Sequence, residues 1–287
     1  QSRIKEIEIK LVKEKMVQTK KFKNNDLLSK EEIKSLENNY ILQTDLTVDK
    51  NLFLAKNKNL IIQPGVKIFF KKDVSITAEG SIIFNGTSDK PIIIYSNEGL
   101  GSLILSNNNF KFNNVIFKNL SYPKDKDKIL YAGVNIINSN VEIIDSQIIS
   151  SKSEDGINLI SSISNIQNLK VQNIQSDAID IDFGILNFSN IVCKDISNDC
   201  LDISGAKVVG EYIEGYNIQD KGLSFGENAT GEISNLNFQK SKLGIAVKDG
   251  SNLKLSSYIF KDNEFDIAVF NKKKEYQGSS LTINNPD

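Results

Sequence analysis

Aspartates and lysines recur at one fixed interval in the second half of this chain, and groups so spaced can do acid–base or metal chemistry. Asp177 and Asp180 are followed 22 residues later by Asp199 and Asp202, and Asp199 in turn by Lys221. Asp182 stands beside the first pair; Glu227, Lys248 and Asp249 come after. Three chemistries are open to such a set. A hard cation such as Ca2+ takes oxygen ligands, and Asp177, Asp180, Asp199 and Asp202 are its candidates. A carboxyl crowded by other carboxyls can keep its proton and act as a general acid. Or Lys221 and Lys248 can neutralise the acids.

Each residue also has a plainer reading. Asp before a strand is an ordinary turn residue, because its side chain bonds the nearby backbone. A repeat that needs one turn many times will repeat its Asp. That suits Asp155, Asp177 and Asp199. It suits Asp180 and Asp202 less well, because they fall in mid-strand, where Asp is disfavoured. After Asp202 the same column runs Ser224, Ala246, Ala268. A purely structural ladder has little reason to confine charge to two coils.

The elements that position these residues follow from apolar pairs. Ile157/Leu159, Ile179/Ile181, Leu201/Ile203, Leu223/Phe225, Ile245/Val247 and Ile267/Val269 each lie 22 residues after the last. A fixed period of this size marks a repeat architecture. Apolar residues two apart mark a short strand with alternate side chains inward. Strands recurring once per repeat stack as parallel ladders, so the expected fold is all-β, a single-stranded parallel β-helix of about ten coils. Asn158, Asp180 and Asp202 then point outward, one ladder step of about 4.8 Å apart. Gly156, Ala178, Cys200, Gly222 and Gly244 form a column of small residues, expected as a groove floor beside the acids.

The coil pattern covers residues 40–287. Gln63-Pro64-Gly65 signals a type II turn. Ser121 to Leu130, with Pro123 and alternating Lys and Asp, is expected to be a loop insertion. Residues 1–39 are expected to be an N-terminal cap or linker, with a strand at 6–11. A short helix is expected over 30–38, from the capping box Ser29-Lys30-Glu31-Glu32. The plentiful Asn residues suit stacked ladders, and Lys272-Lys273-Lys274 reads as a solvated edge guard.

Composition excludes some chemistry. The net charge of −1 points to no nucleic-acid partner. There is no His, hence no His base or His metal ligand, and no Trp to stack on sugars. Cys193 and Cys200 read as buried small residues rather than a disulfide. No apolar run is long enough to span a membrane. Residues 1–24 lack the apolar stretch of a signal peptide. Gln1 in place of Met suggests a mature product or a piece of a longer chain, with a preceding domain.

The runs LIIQPGVKIFF, AEGSIIFNGTSDKPIII, SDAIDID, NDCLDISG, DKGLSFGEN and GIAVKDGSN resemble the right-handed parallel β-helix proteins of the pectate-lyase-like superfamily. More narrowly, they resemble β-helix regions of bacterial surface and exopolysaccharide-related proteins. The resemblance covers about residues 40–275. It implies right-handed winding, three parallel sheets, a polysaccharide partner and a secreted, periplasmic or cell-surface location. The superfamily includes lyases, hydrolases, C5-epimerases and binding or structural modules, and fold does not choose among them.

Within that group an acid cluster beside a Lys suits β-elimination or epimerisation of a uronic-acid polymer. Ca2+ would neutralise the uronate carboxylate and acidify the C5 proton, which a Lys removes. Lys221 is the candidate base, with Asp180, Asp202 and Glu227 as its catalytic partners. Asp182, Lys248 and Asp249 would contact the substrate. The usual Arg base has no candidate, since Arg3 lies outside the coils. Hydrolases of the group typically carry Gly-His-Gly, which a chain without His cannot. The alternative is a non-catalytic structural or adhesion rod.

Overall fold

The computed structural model describes residues 26–36, 39–97, 99–123 and 130–284. The chain winds as a right-handed parallel β-helix of about ten coils. Each coil crosses three parallel sheets in turn. In one coil the strand Ile185–Ile196 bends through two of them, and Leu201–Ser204 lies in the third. The 22-residue period is the ladder step itself. Asn158 pairs with Asp180, Asp180 with Asp202, Asp202 with Ser224, Ser224 with Ala246 and Ala246 with Ala268. Earlier coils are less regular: Leu103 pairs with Val134, and Phe110 with Val141. The extra length enters between the strands Val115–Lys118 and Ala132–Ile137, where the insertion was expected; its residues 124–129 lie outside the described ones.

Corners need backbone that turns sharply, and short polar side chains tolerate the left-handed region best. Asn107, Asn114, Asn119 and Asn138 all take positive φ there. Gly65 has φ +83°, and Val66 N–H donates to the Gln63 carbonyl at 3.4 Å, closing the expected turn. Other Asn side chains form the expected ladders: Asn187 donates to Asn165 and Asn190 to Asn168.

The inward pairs from Ile157/Leu159 through Ile245/Val247 are buried in one continuous core. The small column also faces this core and is no groove floor. A Cβ on Gly222 would sit 2.4 Å from the Phe238 ring, and one on Gly156 2.6 Å from the Ala178 carbonyl. Residues here are small because larger side chains of the neighbouring sheet fill the corner. The same corner explains a second correction. Cys193 and Cys200 are disulfide-bonded, with Cα atoms 5.8 Å apart. Val171 and Ala178 hold the corresponding places one coil earlier, since Val171 pairs with Cys193 and Ala178 precedes Cys200 by one repeat. The two columns meet across the corner, so cysteines in both are brought together.

The helix expected over 30–38 is absent. Leu27–Ser29 is a short 3-10 turn instead, capped by Asp26, whose carboxylate accepts from Leu28 N–H at 3.0 Å. Ile33–Leu36 is a strand, antiparallel to Asn39–Leu42, with Ile33 opposite Leu42. Burial of Ile33 and Leu27 in the core, together with pairing to the first coil, outweighs a capping signal that precedes only two apolar residues. The strand expected at 6–11 lies outside the described residues.

The disulfide closes a short loop within one coil, worth about 2 kcal/mol by loop entropy. Cys193→Val combined with Cys200→Ala recreates the pair of the preceding coil. It is expected to fold normally and to lower stability by no more than about 2 kcal/mol, read by denaturant unfolding. The wild-type chain, denatured without reductant, should show no thiol reactive toward a thiol reagent.

Candidate functional site

The acids gather on one sheet, on the strands Asp155–Ile160, Asp177–Asp182 and Leu201–Ser204 and the two coils after them. Parallel pairing stacks them, with one register shift, between Ile218 and Lys221. Asp177 and Asp199 serve the ladder. Asp177 Oδ1 accepts from Asp199 N–H at 2.8 Å and from Asn198 Nδ2 at 2.7 Å. Asp199 Oδ1 accepts from Lys221 N–H at 2.9 Å. Asp45 and Asn51 do the same for Lys67 and Ser75 in early coils. An Asp or Asn side-chain oxygen reaching the backbone amide of the next coil is therefore a recurring structural device.

Asp180 lies at the centre of the face. Asn158, 5% exposed, donates through Nδ2 to Asp180 Oδ2 at 2.8 Å and more weakly to Asp155 at 3.5 Å. Burial, reinforced by Asp182, Asp155 and Asp202, pushes the Asp180 carboxyl up to about 9. Burial and Asp177 push Asp155 to about 8. Burial and Asp199 push Asp177 to about 7. Asp199 rises through burial but only to about 6, because Lys221 opposes it. Asp182 is raised by burial as well. The face thus grades from neutral acids at Asp155 and Asp180 to an ion pair at Asp199.

Lys221 Nζ lies 3.2 Å from Asp199 Oδ1 and also bonds Asp220. Burial pulls its ammonium down, yet Asp199 and Asp220 outweigh that and hold its pKa above the ordinary lysine value. Lys248 donates to Ser224 at 2.7 Å and stands 3.9 Å from Asp202 Oδ1. It lies across Gly226, where a Cβ would meet Lys248 Cε at 2.8 Å.

Two candidates leave this cluster. Glu227, just past a strand end, is ion-paired with Lys273, though it still faces Asp182 closely enough to act on its carboxyl. Asp249 is fully buried at a corner, and its Oδ1 accepts from Lys272 and Lys273 N–H at 2.7 Å each. Asn158, Asp220 and Ser224 belong to the site and were not singled out from the sequence. Asn158 and Ser224 share the Asp180 column, which was the available signal.

Two oxygens on this face, Asn158 Oδ1 and Asp202 Oδ1, are buried without a hydrogen-bond partner. A buried acceptor left unpaired costs about 1–3 kcal/mol, which the Lys248 ammonium 3.9 Å away offsets in part for Asp202. Among the described residues, no three His, Cys, Asp or Glu side chains converge as a metal cage. Asp177 and Asp199 each spend Oδ1 on a backbone amide and Asp180 spends Oδ2 on Asn158, so three of the proposed four have one oxygen already engaged. A groove of about 420 Å³ lies on a different sheet, lined in part by Ile185, Val209, Glu232 and Lys254. Lys254 and Glu232 in it are ion-paired at 2.7 Å.

No protein-family model matches the sequence, and no curated protein matches it. Among solved structures, the chain is similar to the catalytic domain of a GH87 α-1,3-glucanase in complex with nigerose. Identity is 9%, over 85% of this chain and 63% of that one, with a TM-score of 0.40. It thus spans less than two thirds of the glucanase structure. A periplasmic alginate epimerase, AlgG, matches at 13% identity over 90% and 76% of the two chains, TM-score 0.34. PfbA, a surface adhesin of Streptococcus pneumoniae, matches at 10% over 85% of each, TM-score 0.28. At these values the similarities assign no substrate and no chemistry.

The raised carboxyls have a consequence for stability. The folded state keeps protons that the unfolded chain, with Asp near 3.8, has lost. Each such group stabilises fully below about pH 4, and that contribution is lost as pH rises through its folded pKa. The melting temperature is expected to fall by about 5 °C or more between about pH 5 and about pH 9. Asp180→Asn, neutral at every pH, should flatten that fall, as read by thermal melts across the range.

Proposed function

We propose that this protein binds a polysaccharide along the sheet face running from Asp155 to Lys248. The observation that carries the reading is the row of hydrogen-bonding groups at ladder spacing. Asn158, Asp180, Asp202 and Ser224 follow one another up the coils, with Asp155, Asp182 and Lys248 beside that column. A polymer of hydroxyl groups in regular repeat offers hydrogen-bond partners to the half-buried side chains of Asp180, Asp182, Asp202 and Lys248. Neutral acids also spare a bound chain the repulsion that a row of carboxylates would impose.

Processing of the bound chain, by β-elimination or epimerisation, is the finer reading. Lys221 enters it as a cation rather than a base, because its two aspartates keep it protonated. Asp180 and Asp202, adjacent in the ladder, would give and take the proton. The alternative of a non-catalytic rod draws support from the groove of about 420 Å³, which lies on a different sheet and not over these acids. The Cys193–Cys200 disulfide supports an oxidising compartment, outside the cytosol. No helix of the described residues is long and apolar enough to cross a membrane.

The test is affinity electrophoresis on a panel of neutral and uronate polysaccharides, each with Ca2+ and with chelator. At least one polymer is expected to retard the wild type. Asp180→Ala should weaken that retardation about tenfold, the loss of one well-placed hydrogen bond to a polar ligand. No retardation anywhere in the panel would sink the proposal. Unsaturated product or C5 inversion on the bound polymer would establish processing; neither, with binding intact, would leave a binding module.

A further inference from the structure

One residue beside the acid face departs from the chemistry of its own corner. Asn107, Asn138, Ser161, Phe183, Gly205, Glu227 and Asp249 each follow a strand of the acid-bearing sheet directly, coil after coil. Every one takes a positive φ, between 48° and 66°. The ladder continues through the turn. Phe183 N–H donates to the Ser204 carbonyl at 2.8 Å, as Asn138 N–H does to Ile160 and Gly205 N–H to Gly226. Left-handed backbone crowds the side chain against the carbonyl, so Gly, Asn and Asp bear it best and a bulky residue is out of place. Phe183 nevertheless holds φ 52°.

Burial does not account for this ring. Phe183 is 59% exposed, whereas Phe188 in the same coil is 4% exposed. The ring is seated all the same. A Cβ on Gly205 would come within 2.6 Å of Phe183 Cδ1 and 2.7 Å of Cε1, so the ring lies against the bare corner of the next coil. Gly205 is the one residue of this column without a side chain. Carboxyls stand on both sides of the ring. Asp182 precedes Phe183 on the acid strand, and Glu227 takes the same corner one coil beyond Gly205. Lys273 holds Glu227 through one carboxyl oxygen. A strained residue that the core does not repay points to a ligand.

A pyranose ring has the matching chemistry. Its axial C–H bonds make one side apolar, and its hydroxyls radiate from the edge. The apolar side stacks on an aromatic ring while polar groups beside that ring take the hydroxyls. In a chain without Trp, Phe or Tyr must supply such a surface. We propose that Phe183 is the stacking platform for one pyranose of a polysaccharide bound along the acid face, with Asp182 and Glu227 taking hydroxyls at its edge. The proposal rests on the reading that this face binds a polysaccharide. It adds that the polymer is built of pyranoses with an unbroken C–H side.

The test uses the same panel of neutral and uronate polysaccharides, with thermal melts alongside. Phe183→Asn restores the residue found at Asn107 and Asn138. It is expected to melt no lower than the wild type, while retardation by the bound polymer weakens about tenfold. Phe183→Tyr keeps the ring and should bind within about twofold of the wild type. Saturation-transfer NMR with an oligosaccharide cut from that polymer should place its ring C–H protons closest to the wild-type protein, and Phe183→Asn should abolish that pattern. If Asp180→Ala weakens binding and Phe183→Asn does not, the platform is overturned and the binding face stands. A wild type that no polymer retards overturns both. A Phe183→Asn variant that melts well below the wild type would assign the ring to the fold and overturn the platform as well.

Discussion

Successive coils of this protein are held to one another by parallel ladders of hydrogen bonds, in a 22-residue register along the acid-bearing column. That ladder turns a repeated residue into a column and a repeated charge into a stack at about 4.8 Å. Like charges at such spacing must be relieved, and the chain does so in several ways. Asp155 and Asp180 keep their protons. Asp177 and Asp199 accept amide hydrogen bonds, and Asp199 also takes Lys221 as counter-ion. Above Asp202 the column turns to Ser224 and Ala246, and the problem ends. The candidate site is the stretch where acids persist despite their cost.

What packs was legible in the sequence. The pairs from Ile157/Leu159 to Ile245/Val247 occupy the core because period-two alternation dictates which side chains point inward. What depends on two columns meeting was not. Gly222 and Cys200 were read along their own column, and only the fold reveals Phe238 and Cys193 across the corner. The short N-terminal segment misled for a related reason. Its capping signal is local, while the burial of Ile33 against the first coil is not.

The site was legible as a cluster and less so as an arrangement. Asp180 and Asp202 sit where their column places them. Lys221 does lie beside the acids, but spacing alone could not say that two of them would hold it charged. Asp249 illustrates the limit best. It follows the strand by a single residue, yet a left-handed backbone (φ 53°) turns it into the corner, away from the face. One backbone dihedral separates a surface acid from a buried staple.

The disulfide has a mechanical corollary. Cys193 and Cys200 belong to the same coil, so their bond ties that turn to itself and to no neighbour. Tension along the rod meets only ladder hydrogen bonds and stacked side chains, and successive turns can peel away singly. The stapled turn, when its time comes, would yield less slack than the others, because the crosslink withholds the residues it encloses.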